Sequence, residues 1–503
     1  MPCGTPFSFG EFMVKLKVWK EKDTGKPAFP ANYKVTQRWE GNCTDVIKNS
    51  NKFYHAEIQV ASNGRARIFT MYGRVGAANP AKEYRYYPSE ASCVNDYHAL
   101  IKKKRDRKKN PYREIDLAMT TVGSEGAKQI VKPMTGVSVK GRKAAGGSSL
   151  HREIQRLVKT WFGDTQHFIE MNLKCPLGQL TKEQIDKGRA VLEDCRRRVL
   201  AKAKSADVDY DLLTSQFYSL VPHKLPHRID ANTLRINTID RVMEKEDTLD
   251  TFLDAKNVSS VLSKGSSIDA QYGKLKADLE WIDPQDPVYK WIEGLVHETR
   301  ARNHGFLGNV KVFDIFRLGR NGESAHFEKT LQKVATQVNG KGAKPKFTSL
   351  TRPDLDKDER KLFVKANVWP LWHGTKPQNM VGIISRGLLI RPAGAVHTGS
   401  MFGDALYHAE NSSKSMNYTG CRGSYWAGDS KQSRSYLFLE DVIVGKPHVV
   451  QSTQFFRKPP AGHHSVYAVP GGSLYNSENM TYASSGVGQQ HRLRYIVEFQ
   501  AKQ

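Results

Sequence analysis

The chain is short of cysteine and of acidic residues. Its 503 residues include Cys3, Cys43, Cys93, Cys175, Cys195 and Cys421, with no CxxC pair among them. That scatter lacks the ligand spacing of a zinc site and points to a reducing, intracellular compartment. Also missing is any apolar run near the roughly 18 residues of a membrane span, and the N-terminus has no signal-peptide core. Neither a membrane partner nor secretion is therefore expected. Two nucleotide-binding signatures are absent as well. No dinucleotide fingerprint occurs, and Gly340-Lys341-Gly342-Ala343-Lys344 lacks the spacing of a P-loop. Asp and Glu number 51 against 77 Lys and Arg, a net charge of +26. Such an excess favours polyanions through counterion release, and nucleic acid fits it better than a membrane.

Hydrophobic residues make up 39% of the chain, ordinary for globular folding, and the length predicts about three domains. Residues 1–34 carry Lys15, Lys17, Lys20, Lys22 and Lys26 among Gly and Pro, and read as a basic tail. From Tyr54, apolar Ala56, Ile58 and Val60 alternate with His55, Glu57 and Gln59, the pattern of a half-buried strand. Asn63-Gly64 predicts a two-residue hairpin turn before a return strand through Ala66, Ile68 and Thr70. A helix is expected from Ser89, ending in the basic run 102–109. The span 35–131 is thus a small basic sheet with a helix, and the Gly- and Ser-bearing stretch 132–149 is a linker.

Helical periodicity dominates the next stretch. Thr181 and Gln184 match a capping box, and Ile185, Gly188, Leu192, Cys195 and Val199 follow at helical spacing. Leu213, Phe217 and Leu220 mark a second helix closed before Pro222, and further helical pattern covers 234–255. Residues 150–260 are expected to form an all-helical bundle. From 268 to 503 the pattern becomes mixed α+β. Strands are expected at 312–318, 368–372, 436–444 and 492–499, with short helices at 378–385, stopped by Gly387, and 411–418. The fold class is multidomain α+β.

Several residues in this last region suit ligand chemistry. His373 ends an apolar strand and is followed by Gly374 and Thr375, so ring and backbone can both meet a ligand. Taken alone, a packed strand-end histidine is the commoner reading. Further on come Tyr407 and then Lys414, Ser415 and Tyr418 on a short helix. Two tyrosines and a serine so placed can stack on a flat ring and hydrogen-bond an amide, although a single tyrosine is more often core. Glu478 opens a strand near the C-terminus, where a lone acid is most often solvated.

In order and spacing the combination is specific. The runs LWHGT, GIISRGLLI, GSMFGDALYHAENSSKSMNY and SLYNSENMTY resemble the catalytic domain of poly(ADP-ribose) polymerases. Upstream, CPLGQLTKEQI and FYSLVPH are similar to that family's helical regulatory domain. NSNKFY with Tyr72-Gly73-Arg74-Val75-Gly76 resembles its WGR domain. The resemblance implies a short, DNA-activated member that transfers ADP-ribose from NAD+ as substrate, with no metal. It implies a catalytic triad at His373, Tyr407 and Glu478. Gly374, through its backbone, and Ser415, through its hydroxyl, would hold the nicotinamide carboxamide. Tyr418 would stack on the ring and His373 bind the adenosine ribose, with Thr375 beside it and Lys414 lining the donor site. Tyr72 and Arg74 would bind DNA; Arg74 can alternatively serve in a domain interface, or form no more than a surface salt bridge. The implied partners are DNA ends or nicks, protein acceptors including the chain itself, and an accessory factor that directs modification to histones. The implied location is the nucleus, for which the 102–109 run can also serve as a localisation signal.

The sequence departs from the family pattern in four places. Matching forward from Ser473 puts the third triad position on Glu478; matching backward from Arg492 without a gap puts it on Tyr482. The forward match needs extra residues, which the loop 484–488 supplies at small entropic cost. Glu478 implies chain elongation, and Tyr482 implies single transfer. Leu389 stands where the family has an adenosine-side arginine, with Arg391 close by. Tyr72 replaces the WGR tryptophan, and the segment 420–434 is longer than expected. A competing expectation is a DNA-binding scaffold whose transferase site has decayed.

Overall fold

The computed structural model describes residues 17–115, 148–172, 180–201, 209–262 apart from 224, 266–340 apart from 302–303 and 305–308, 352–390, 402–421 apart from 404, and 434–502 apart from 473, 475 and 483–488. Residues 1–16, most of the linker 132–149, Cys3, Cys175, Arg391, the loop 484–488 and nearly all of 420–434 lie outside them.

Runs of β-branched and aromatic residues at period two build the first strands. These are β1 (Trp19–Lys20), β2 (Tyr33–Asp45), β3 (Ser50–Ala61), β4 (Ala66–Arg74) and β5 (Ala81–Tyr87), followed by α1 (Val94–Arg105) and β6 (Arg113–Glu114). They pair in the order β1-β5-β4-β3-β2-β6. Ala56, Ile58, Ala66 and Ile68 lie with Trp39 and Tyr54 under Tyr97 and Ile101 of α1 in one apolar cluster.

Three expectations need correcting here. The basic tail does not run to residue 34, because Trp19 and Lys20 pair with Tyr84 and Glu83 of β5. The turn at Asn63-Gly64 is a three-residue loop: Ala61 and Arg65 close it, and Gly64 takes φ +83°, a left-handed conformation that suits glycine. Finally, β3 is buried on both faces. His55, Glu57 and Gln59 are buried because Glu40 of β2 and Arg67 of β4 reach over them. His55 meets Glu40 on one side and Glu57 at 2.9 Å on the other, and Arg67 donates to Gln59 at 2.7 Å. Burial alone would lower the His55 imidazole, but the two carboxylates outweigh it and push it up to about 9.

Among the described residues five helices follow: α2 (Arg152–Asn172), α3 (Lys182–Leu200), α4 (Tyr210–Leu220), α5 (Ala231–Leu234) and α6 (Ile239–Leu262). At the start of α3 the Thr181 hydroxyl caps the helix. The Gln184 amide N–H donates to the Thr181 hydroxyl at 3.1 Å, while the Gln184 side chain donates to the Leu220 carbonyl at 2.7 Å. The regulatory segment is helical throughout its described elements. The chain divides into two units, the first holding Met1–Val137, Leu173–Gly188 and Asp209–Arg235, the second holding Ser138–Asn172, Arg189–Val208 and Ile236–Gln503. In the first, α4 docks on β2, where Asn42 donates to the Tyr218 carbonyl at 2.9 Å and the Thr44 N–H to the Ser219 hydroxyl at 2.8 Å.

The second unit adds α7 (Ile268–Leu275), β7 (Ala277–Trp281), α8 (Pro287–Glu298), β8 (Asn309–Arg320), α9 (Glu323–Val338), α10 (Lys357–Ala366), β9 (Val368–Thr375), α11 (Met380–Arg386), β10 (Leu406–His408), α12 (Ser412–Met416), β11 (Ser435–Ile443), β12 (Pro447–Val450), β13 (Ser465–Ala468), β14 (Glu478–Thr481) and β15 (His491–Lys502). A five-stranded sheet runs β7-β8-β15-β11-β9, and a four-stranded sheet runs β10-β14-β13-β12. The four strands and two short helices expected here lie within or across β8, β9, β11, β15, α11 and α12. Trp372, Leu437, Leu439 and Val497 pack with Ile292 and Val296 of α8. At roughly 1.5–3 kcal/mol per large buried side chain, this layer anchors the strand that carries His373. In the same unit, Arg156 of α2 reaches Glu498 at 2.6 Å and Asp314 at 3.0 Å.

Candidate active site

β9 sits at the edge of the five-stranded sheet, and its end delivers His373-Gly374-Thr375. Its outer side is closed by Ala409, which exchanges both backbone hydrogen bonds with Trp372, at 2.8 and 2.9 Å. That bridge brings β10 alongside, so His373 Nδ1 lies 3.2 Å from the Tyr407 carbonyl. A carbonyl only accepts, so Nδ1 carries the proton and Nε2 is the acceptor. Burial lowers the His373 imidazole below its ordinary value, with Glu440 opposing and His408 reinforcing the shift; at neutral pH the ring is uncharged.

Gly374 is required by packing. A Cβ there would lie 1.8 Å from the Ser415 carbonyl oxygen, so α12 can approach β9 this closely only if residue 374 has no side chain. Ser415 donates its hydroxyl to the Trp372 carbonyl at 3.0 Å, which leaves the oxygen able to accept from an amide. Tyr418 follows α12 with its side chain exposed. Thr375 is buried and accepts from Asn379 at 3.3 Å, while Asn379 also holds the Thr251 hydroxyl of α6 at 2.6 Å.

Tyr407 turns its hydroxyl onto the neighbouring loop, donating to the Gly403 carbonyl at 3.0 Å and accepting from the Phe402 N–H at 3.1 Å. Glu478 opens β14 opposite Ala468. Its carboxylate lies 3.1 Å from the Lys414 ammonium, each side chain being 15% exposed, and Lys414 also donates to the Ser477 carbonyl at 3.3 Å. Tyr482 behaves differently. Its hydroxyl donates to the Phe402 carbonyl at 2.8 Å, and its ring packs on the cluster of Phe402, Phe456 and Met480.

A model described as "Poly(ADP-ribose) polymerase catalytic domain" matches residues 288–487, one for the regulatory domain of the same family matches 148–278, and one for the WGR domain matches 41–117. The chain belongs to the poly(ADP-ribose) polymerase family. Similar proteins include Poly [ADP-ribose] polymerase 1 of Gallus gallus, 26% identical over 84% of this chain and 38% of the relative. Protein mono-ADP-ribosyltransferase PARP3 of Homo sapiens is 26% identical over 85% of this chain and 75% of its own length. Poly [ADP-ribose] polymerase 2 of Zea mays is 26% identical, over 80% and 57%. The chain spans about two fifths of the length of the first of these relatives.

In the WGR domain of this family member, Tyr72 stacks on Tyr54 at 5.6 Å and 15° and donates its hydroxyl to Glu83 at 2.8 Å. Arg74 is engaged by backbone carbonyls. Its guanidinium donates to the Asn49 carbonyl at 3.1 Å and the Pro226 carbonyl at 2.7 Å, within the first unit. At the end of α1, Lys102, Lys103 and Arg105 are exposed. Among the described residues no helix is long and apolar enough to cross a membrane, and no group of three metal-ligating side chains comes together.

Sequence reasoning passed over His408, Glu440, Asn379 and Thr251. The pair Glu440-Asp441 inside the apolar run of β11 was the available signal, since carboxylates are seldom buried unpaired.

Proposed function

We propose that the protein is a DNA-break-stimulated ADP-ribosyltransferase of the nucleus, which cleaves NAD+ and passes ADP-ribose to protein acceptors. The observation that carries this reading is the Glu478 carboxylate held against Lys414, in the unit where His373 and Tyr407 are hydrogen-bonded together. Breaking the nicotinamide–ribose bond builds positive charge on the ribose, as in glycoside cleavage. A carboxylate on the ribose 2′-hydroxyl stabilises that charge and orients an incoming hydroxyl. His373 Nε2 accepts from the adenosine ribose, beside Thr375. Gly374 and Ser415 hold the carboxamide, and Tyr418 stacks on the ring, so the leaving group is fixed before the bond breaks.

Chain elongation follows from Glu478 in the third triad position. A second reading, single transfer, is favoured by the similarity to a mono-ADP-ribosyltransferase. Tyr72 and the exposed basic end of α1 bind the DNA end, and the helical segments restrain the donor site until DNA is bound. Nicotinamide release, measured with and without nicked DNA, tests the reading, and product length on a gel separates the two outcomes. No release under either condition leaves a DNA-binding scaffold.

A further inference from the structure

We infer that His408 and Glu440 form a buried positioning pair that sets the strands of His373, Tyr407 and Glu478 for transfer. The inference rests on the reading of this site as an ADP-ribose donor site. His408 Nδ1 and Glu440 Oε2 are 3.0 Å apart, and both side chains are wholly buried. The other ring nitrogen of His408 lies 3.0 Å from the Thr481 hydroxyl. His408 follows Tyr407 on β10, and Thr481 ends the strand that Glu478 opens. Glu440 lies on β11 opposite Leu371 of β9, the strand that carries His373. One imidazole on β10 thus meets β14 directly and, through Glu440, β11, the strand paired with β9.

The join matters because β10 and β14 are only 3 and 4 residues long. Few ladder bonds hold them, whereas the site needs its groups placed to a fraction of an ångström. Replacing a buried polar pair of this kind with apolar residues of similar volume is commonly neutral or stabilising, so the pair is better explained by the geometry it imposes. The pair also borders His373 electrically. The charged or titratable groups around the cluster are His373 on β9, His408 on β10, Glu440 on β11, His491 on β15, Arg320 on β8 and Glu323 on α9. Of these, Glu440 opposes the fall of the His373 pKa caused by burial.

The test uses the full chain with nicked DNA and follows nicotinamide release in two variants. In the double variant His408→Leu/Glu440→Leu, kcat is expected to fall about tenfold or more, while the melting temperature stays at or above that of the unmodified protein. In Glu440→Gln, loss of the negative charge lets the His373 pKa drop further. The acid limb of the kcat profile therefore moves to lower pH, with little change in KM for NAD+. A folded double variant with kcat within about twofold of the unmodified protein, or an unmoved acid limb in Glu440→Gln, overturns the inference. If the double variant does not fold, the acid limb alone decides. An active unmodified protein with unaffected variants removes this inference only; an inactive one removes the donor-site reading as well.

Discussion

The Lys414 ammonium lies 3.1 Å from the Glu478 carboxylate, both side chains being largely buried, whereas Tyr482 directs its hydroxyl to the Phe402 carbonyl. The two residues that compete for the third triad position therefore sit in different surroundings. Glu478→Gln is expected to lower kcat by about a hundredfold or more, the scale of losing one transition-state contact, and to abolish long chains. Tyr482→Phe, which removes the hydroxyl bound to the Phe402 carbonyl, should keep chain length. Long products from Glu478→Gln would reassign the position.

Gly374→Ala should be among the most damaging single substitutions in the domain. Its Cβ would fall 1.8 Å from the Ser415 carbonyl oxygen, a backbone atom that cannot rotate away. Overpacking of this kind costs about 1–3 kcal/mol or more. Separation of β9 from α12 would also spread the carboxamide site. A lower melting temperature with activity close to background is the expected outcome; wild-type KM and kcat would show that the close approach is dispensable.

Asn379 links Thr251 of α6 to Thr375 beside His373, and Thr165 of α2 donates to the Gln378 carbonyl at 3.0 Å. If the helices restrain the donor site, the pair of substitutions Thr165→Val and Thr251→Val should raise nicotinamide release measured without DNA, by up to about thirtyfold for two lost hydrogen bonds of about 1 kcal/mol each. Removal of 150–260 should raise it further. Unchanged release in both proteins would refute restraint by these segments.

Two buried histidines should give stability opposite pH dependences. Burial depresses His491 to about 3, below its unfolded value near 6.5. The unfolded chain then binds more protons, so stability is present above that value and is lost as pH falls through the window from about 6.5 to about 3. His55 is raised to about 9. Its contribution is complete below the unfolded value and disappears as pH rises through about 9. Melting curves across pH 4 to 10 (a range on the order set by these two values) should show both limbs. His491→Leu should flatten the acid one; a persistent acid limb in that variant would point to the carboxylates instead.

Lys102, Lys103 and Arg105 are exposed at the end of α1. Their joint replacement by alanine should weaken binding to nicked DNA and reduce the salt slope by about one unit per lost phosphate contact. Fluorescence anisotropy over a salt series reads this. An unchanged slope would move the DNA contact elsewhere in the chain.

Much of this was legible because long elements carry periodicity. The strands at 312–318 and 492–499 lie inside β8 and β15, where alternating or continuous apolar residues leave little choice. The short strands were harder, since β10 and β14 have too few residues to show a period and are defined by their partners. The polar face of β3 reads as solvated because local alternation cannot show that Glu40 and Arg67 arrive from neighbouring strands. In the site, His373, Gly374, Ser415 and Glu478 were marked by order along the chain. The supporting pair His408–Glu440 depends on register between two sheets, which no local pattern encodes.

The most direct test is nicotinamide release from NAD+ by the full chain and by Glu478→Gln, each with and without nicked DNA. The account predicts release by the unmodified protein, stimulation by the nick, and loss of nearly all of it in Glu478→Gln. No release from the unmodified protein under either condition, or equal release from the two proteins, would contradict it.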